Sequence, residues 1–229
     1  MAEKGWAFTA TFPNMNGIFF EGTPEENFLG HIMSEVYKEQ VYAPFLVGKS
    51  NQTILDIGAN VGITSLYFSN FASQIYALEP STEHFNCLKQ MILFNRIQNV
   101  MPIKKALFIR NGKLPFGGPQ NKTMRSLHMS CWKDGKPDEE VEAITLDTLF
   151  DEYKIEKVDF MKMDIEGSEV EVISSEGFRK VANKIDTIVL ETHDWNGRNP
   201  EQIKGVLNMR GFEVGILKTD ASILVAKRK

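Results

Sequence analysis

Cysteine is scarce: Cys87 and Cys131 are the only two in 229 residues. Two thiols so far apart exclude the disulfide framework of a small secreted protein. Long apolar runs are missing, and none approaches the roughly 20 residues of a membrane-spanning helix. The first six residues lack an apolar signal core, so a cytoplasmic protein off the membrane is expected. A basic surplus is also lacking, since 26 Lys and Arg face 30 Asp and Glu, a formal charge of −4. Proteins that grip a phosphate backbone through many contacts carry the opposite balance, which disfavours extended nucleic-acid binding. Internal repeats and low-complexity stretches are absent. What is present suffices for a sizeable core: 42% of residues are hydrophobic, which rules out whole-chain disorder. Among the aromatics Phe dominates, with 16 against 5 Tyr and 3 Trp.

Texture divides the chain at about residue 50. Residues 1–50 carry Trp6, Phe8, Phe12, Phe19 and Phe20, broken by Pro13, Gly17 and Gly22. Phe28, Ile32 and Val36 predict a helix over 25–40 behind a Thr23-Pro24 start. Residues 1–50 are expected to be an extension that packs on, or partly covers, a main domain of residues 51–229. In that domain strands and helices alternate. Strands are predicted over 53–57, 74–79, 100–109, 158–165, 185–192, 213–218 and 222–227. Helices are predicted after the first strand and over 82–95, 145–153, 168–175 and from 199 onward, with Gly211 as the stop of the last. Residues 110–140 read as a long loop. Such alternation predicts an α/β fold, a mostly parallel sheet covered on both faces. The last two strands are joined by a tight turn at Thr219-Asp220, so they must be antiparallel. Ligands of such sheets bind at the carboxyl ends of the strands.

The first predicted strand ends in Asp56-Ile57-Gly58-Ala59-Asn60-Val61-Gly62. Glycines there permit a sharp turn and close approach of a ligand to the backbone. The dinucleotide fingerprint needs glycine at the first, third and sixth positions, but counted from Gly58 the latter two are Asn60 and Ile63. A pyrophosphate site, and with it a dehydrogenase, is disfavoured. Glu79 closes the second strand some 20 residues after the glycine turn, where a carboxylate can accept from both hydroxyls of a ribose. The pair points to a nucleoside without a pyrophosphate.

That pattern resembles the S-adenosylmethionine-dependent methyltransferases. Four separated strings narrow the resemblance to the FkbM family: Ala77-Leu-Glu-Pro80, Thr145-Leu-Asp147-Thr-Leu149, Val158 through Asp164-Ile-Glu166-Gly167-Ser-Glu169, and Val189-Leu-Glu191-Thr-His193. It spans roughly residues 53 to 228. It implies the Rossmann-like class I methyltransferase fold: a seven-stranded, mostly parallel sheet with one antiparallel strand and helices on both faces. It also implies a small-molecule acceptor whose hydroxyl, on a sugar or natural product, takes the methyl group.

Roles follow from the resemblance, charge and position. Asp56 should order the glycine loop and hold the cofactor's methionine amino group. Gly58, Ala59 and Gly62 should let it approach the backbone. Asn60 replaces the glycine of the wider superfamily but matches this family. Glu79, followed by Pro80, should hold the ribose, and residues 104–107 the adenine. Asp164 and Glu166 lie on one side of an extended segment, where the cofactor's positive charge would relieve their crowding. Ser168 reads as a helix cap and Glu169 as a first-turn acid that complements the helix dipole. His193 is the leading candidate for the base that removes the hydroxyl proton, with Glu191 or Asp164 to orient it. His31 and His84 read as helix-surface or core residues, and His128 falls in the long loop. Asp164, Glu166, Glu191, His193 and Asp194 offer hard ligands, but nothing in their spacing is diagnostic and no metal is expected. An RNA or nucleobase methyltransferase is an alternative, kept open by Lys104, Lys105, Arg110, Lys113, Lys122 and Arg125. The acidic string at 164–169 argues against it. A non-catalytic cofactor-binding module is a further alternative.

Overall fold

The computed structural model describes residues 32–118, 125–127, 136–193, 200–217, 220 and 222–229. Among them are ten strands: β1 (Gln52–Ile57), β2 (Ala72–Leu78), β3 (Val100–Ile103), β4 (Ala106–Leu107), β5 (Gly112–Phe116), β6 (Glu139–Ile144), β7 (Val158–Met163), β8 (Ile185–Glu191), β9 (Phe212–Ile216) and β10 (Ile223–Arg228). The helices are α1 (Ala43–Leu46), α2 (Ile63–Phe68), α3 (Thr82–Phe94), α4 (Leu146–Glu152), α5 (Glu169–Ser174), α6 (Glu176–Val181) and α7 (Pro200–Met209). The large sheet has seven strands in the order β3-β2-β1-β7-β8-β10-β9. Its pairings are parallel except those of β10, which runs antiparallel to β8 and β9. This is the sheet the alternation predicts. None of the described helices is long and apolar enough to cross a membrane.

Burial explains why these strands read as near-continuous apolar runs. Helices cover both faces, so Ile54, Leu55 and Ile57 are all fully buried although they alternate in direction. Leu55, Ile57, Met161 and Met163 pack with Leu149, Ile173, Phe178 and Leu207 on one face. Ile54, Phe160 and Val189 pack with Leu46, Phe68 and Leu88 on the other. The second face is where residues 32–50 contribute. A π-helical turn, Ser34–Lys38, and α1 bury Val36, Phe45 and Leu46 against it. Tyr42 meets Phe68 edge-on at 5.2 Å, and Phe45 stacks on Phe160 at 6.3 Å. Trp6, Phe8, Phe12, Phe19, Phe20, Phe28 and His31 lie outside the described residues.

The chain leaves β1 for β2 on one side, while β7 sits on the other. The carboxyl ends of β1 and β7 therefore border a crevice at the point where the strand order reverses.

Three expectations need correction. The strand over 100–109 is two short strands in different sheets, broken at Lys104 and Lys105. The loop over 110–140 contains β5 and the start of β6. With β4 these form a second sheet in the order β4-β6-β5. The alternation was present, since Leu114 and Phe116 are buried and Lys113 and Pro115 exposed. Pro115 hid it, yet β5 is an edge strand, where proline is tolerated. Third, the helix over 168–175 ends at Ser174, and a second one, α6, follows at once. The Ser175 hydroxyl caps α6 by accepting from Phe178 N–H at 3.1 Å, whereas Ser168 makes no side-chain cap bond. The 219 position of the predicted final turn lies outside the described residues.

Candidate functional site

The loop between β1 and α2 is held from beneath. Asp56 is fully buried, and its Oδ2 accepts from the hydroxyls of Thr64 at 2.8 Å and Ser65 at 2.6 Å in the first turn of α2. Lys162 stands opposite Asp56 on β7, in register, with Nζ 3.9 Å from Asp56 Oδ1. Gly58 and Gly62 both adopt left-handed backbone, at φ 77° and 95°. At Gly58 a Cβ would lie 1.8 Å from the Asp164 carbonyl oxygen, and at Gly62 2.7 Å from Leu88 Cδ1. The first glycine lets two strand ends meet; the second lets α3 pack.

Glu79, just past β2, is 5% exposed. Its Oε2 accepts from Asn60 N–H at 2.9 Å and its Oε1 from Ser81 N–H at 2.8 Å. Asn60 reaches that bond through left-handed backbone, φ 51°. Burial pushes the Glu79 carboxyl up to about 7, against the pull of these two N–H groups. His84, buried on α3, brings Nδ1 within 3.9 Å of Glu79 Oε1.

A cavity of about 270 Å³ opens beside Gly58 and Asn60. Glu79, Pro80 and His84 line it from beyond β2, and Asp164, Glu166, Glu191 and His193 from beyond β7 and β8, on the other side of β1. Phe116, Arg125 and Leu127, from the second sheet and the segment beside it, line it too. Ile32 and Glu35 bring the segment before β1 to the same wall. A smaller cavity of about 40 Å³ shares Gly58, Asn60, Asp164 and Glu191, and adds Ala59 and Lys162. Asp56 and Gly62 line neither and support the loop from behind.

Charge is concentrated at the ends of β7 and β8. Lys162 is 5% exposed and donates to Gly58 O at 2.8 Å and Asp164 Oδ2 at 3.3 Å. Burial pulls its ammonium down, but the carboxylates of Asp164, Asp56 and Glu191 outweigh that and hold it above the ordinary lysine range. Asp164 Oδ1 is buried and has no hydrogen-bond partner among the described residues. His193 Nε2 lies 3.3 Å from Glu166 Oε2 and 3.8 Å from both Asp164 Oδ1 and Glu191 Oε1. Its Nδ1 lies 2.9 Å from Glu169 Oε1. Burial pulls the imidazole down, yet Glu169, Glu166 and Asp164 carry it up to about 9. Burial and the neighbouring Asp164 raise both Glu166 and Glu191 above the ordinary carboxylate range. One ligand-type atom from each of Asp164, Glu191 and His193 falls within 4.8 Å of the others. Lys162 and the imidazole already supply positive charge to this group, and it reads as an ion-paired cluster.

The structure thus brings Glu79, Pro80, Asp164, Glu166, Glu191 and His193 to one cavity with Gly58 and Asn60. Glu191 or Asp164 is the expected orienting partner of His193, but the carboxylate at hydrogen-bond distance from Nδ1 is that of Glu169. Three residues were missed. Lys162 was passed over inside an apolar strand, where a lone lysine was itself the signal. His84 reads as a helix-surface or core residue in sequence; it is buried and also lines the cavity. Glu35 had no signal. Asn95, at the end of α3, donates to Met91 O at 2.9 Å. Asp194, Lys122 and His128 lie outside the described residues.

Comparison with known proteins gives a consistent picture. A family model described as the methyltransferase FkbM domain matches residues 56–214, more than half of the chain. Methyltransferase sdnD of Sordaria araneosa is 29% identical over 199 residues, 72% of this chain and 75% of that protein. The hexuronic acid methyltransferase AglP of Haloferax volcanii is 22% identical over 184 residues, 79% of this chain and 72% of that protein. Among solved structures, the methyltransferase FkbM of Methylobacillus flagellatus superposes with a TM-score of 0.56 at 15% identity, over 87% of this chain and 52% of that one. This chain therefore spans about half the length of that structure. The magnesium protoporphyrin IX methyltransferase (ChlM) of Synechocystis, solved with bound S-adenosylmethionine, superposes with a TM-score of 0.53 at 15% identity, over 91% of this chain and 86% of that one. At such identities the superpositions show the shared fold.

Proposed function

The chain belongs to the FkbM methyltransferase family and is an S-adenosylmethionine-dependent methyltransferase; on that premise we propose that it methylates a hydroxyl of a sugar or similar small molecule. One observation carries the reading. A single cavity is lined at the β2 end by a buried carboxylate, Glu79, and at the β7 and β8 ends by the cluster around Asp164 and His193, with β1 between them. The first end suits the ribose of a nucleoside. The second suits a cation and an acceptor that must lose a proton.

The residues present fit the cofactor. Gly58 and Asn60 line the cavity, and Asp164 Oδ1 is a buried acceptor with no hydrogen-bond partner among the described residues. In this reading Glu79 holds the ribose hydroxyls, Pro80 walls the adenosine side, and Gly58, Ala59 and Asn60 border the methionine moiety. Asp56 and Gly62 keep that loop in place from behind. Asp164 and Glu166 face the positive charge. When bound, the cofactor supplies an electrophilic methyl group on a positively charged sulfur. His193 takes the hydroxyl proton from its neutral form, which the surrounding carboxylates make the minor form until the pH approaches about 9. No metal takes part, because Lys162 and the cofactor balance the carboxylates; treatment with EDTA should leave turnover unchanged.

The acceptor class is read from AglP, whose name gives a hexuronic acid, and from the cavity itself. The RNA alternative draws no support from the basic residues on the wall. Lys105 is paired with Glu152 at 2.8 Å, and Arg125 with Asp138 at 2.7 Å. Calorimetry with S-adenosylhomocysteine tests the cofactor half: Glu79→Gln should weaken binding about tenfold or more, as loss of a charged hydrogen-bonding partner does. Labelled S-adenosylmethionine, offered with a panel of neutral sugars, sugar acids and RNA, tests the acceptor half. Label in a sugar ether supports the reading. Label in a carboxylate ester or in RNA overturns it.

A further inference from the structure

Glu169 is doing something a dipole-complementing helix acid does not do. It is 1% exposed, and one oxygen gathers three partners. Oε1 accepts from Gly167 N–H at 3.0 Å and Ile165 N–H at 3.3 Å, and it meets His193 Nδ1 at 2.9 Å. Ile165 and Gly167 flank Glu166, whose backbone is left-handed at φ 53°, a conformation non-glycine residues adopt only when their surroundings hold them there. The same carboxylate thus fixes the turn after β7 and the imidazole that follows β8. A carboxylate offers only acceptors, so Nδ1 must carry the proton in this pair. Nε2 is then the nitrogen turned towards Asp164, Glu166 and Glu191 at the cavity wall.

We infer that Glu169 is the positioning residue of the reaction: it holds His193 through Nδ1 so that Nε2 is the atom presented to the acceptor hydroxyl. The inference rests on the reading of His193 as the base. The step needs the neutral imidazole, with Nε2 unprotonated: the acceptor oxygen bonds the methyl carbon as that carbon's bond to the sulfonium sulfur breaks and leaves a neutral thioether, the hydroxyl proton passes to Nε2, and the resulting imidazolium keeps its Nδ1–H on Glu169. The groups that face the imidazole are Glu169 of α5, Asp164 and Glu166 of the turn, Glu191 of β8 and, through Asp164, Lys162 of β7. Glu35 faces Glu191 from the segment before β1. Of these, Glu169 is the carboxylate at hydrogen-bond distance from Nδ1.

The test separates this inference from the base assignment. Full-length protein labelled with ¹⁵N in histidine, saturated with S-adenosylhomocysteine, reports the tautomer and titration of each imidazole by NMR, and His193→Gln identifies the signal. In the parent protein His193 should titrate late and, above that titration, be a single Nδ1–H form. Glu169→Gln keeps an oxygen for all three donors but loses the charge. Its His193 should stay Nδ1–H and titrate about one pH unit or more lower. Glu169→Asp keeps the charge but withdraws it from Nδ1. Its His193 should lose the single tautomer, which keeps the inference testable should the first variant fold poorly. Parent-like His193 spectra in the folded variants overturn the positioning role, whatever their activity. Separately, His193→Gln is assayed for methyl transfer to the acceptor found in the panel. Retained transfer there overturns the base reading while leaving the contact between Glu169 and His193 intact.

Discussion

At the scale of single residues, the site turns on one buried lysine that the sequence reading passed over. Lys162 sits between Asp56, which is fully buried, and Asp164, and it also ties down the Gly58 carbonyl. Removing one partner of a buried ion pair costs more than the pair contributes, because the other charge is left without compensation. Lys162→Met should therefore lower stability by about 3–5 kcal/mol in urea unfolding. Adding Asp56→Asn should restore part of that loss, since it removes the stranded charge. Additive losses would show that the two side chains do not interact. The aliphatic neighbours of Lys162, Met161 and Met163, point to the opposite face and pack normally, so strand burial alone gave no reason to look there. Charge in an apolar strand is the legible sign, but its partners come from β1 and from the turn after β7, which only the register brings together.

At the scale of elements, the β1–α2 loop makes two glycines unequal although both were read as ligand-approach positions. Gly58→Ala would place Cβ against the Asp164 carbonyl, a backbone atom that cannot move without parting β1 from β7. Gly62→Ala meets the end of a leucine side chain, which can rotate away. Each also bears the left-handed strain of roughly 1–2 kcal/mol. Urea unfolding should show Gly62→Ala destabilised by about 1–3 kcal/mol and Gly58→Ala by more, with S-adenosylhomocysteine binding lost only in the latter. Equal effects would mean that the loop adapts at both positions. The same contrast explains what the sequence could reveal. Glycine after a strand and acids at strand ends are local patterns, so the large sheet, the loop and the position of Glu79 were legible. The second sheet was not, because Pro115 and a two-residue β4 break the local alternation, and the pairing of β4, β5 and β6 is set by long-range register. The orientation of His193 by Glu169 was equally hidden, since 24 residues and the end of a different strand separate them.

At the scale of the whole molecule, the acidic balance becomes a dependence of stability on pH. Glu79 is raised to about 7 by burial, so the folded chain binds a proton there that the unfolded chain has released. Its contribution falls as pH climbs from the ordinary carboxylate range to about 7. Glu166 and Glu191 are raised in the same direction by burial and by Asp164. For His193 burial acts downward, but the surrounding carboxylates raise it to about 9. A base raised in the folded state gives stability that is complete below its unfolded value near 6.5 and is lost as pH rises to about 9. All four groups act with one sign, the carboxyls up to about 7 or 8 and His193 from about 6.5 to about 9, while the acids lowered by surface pairs, Asp147 and Glu176, act only at lower pH. The ligand-free protein should therefore lose several degrees of melting temperature between pH 6 and pH 9, about what a shift of 1–2 kcal/mol produces in a chain of this size. Saturating S-adenosylmethionine should flatten that slope, because a sulfonium beside Asp164 and ribose hydroxyls on Glu79 both favour ionised carboxylates. It should raise the melting temperature more at pH 8 than at pH 6. A ligand-free melting temperature that is level or rises from pH 6 to pH 9 would mean that these carboxyls are ionised in the fold at neutral pH. The cavity would then have to be more open to water than its burial implies.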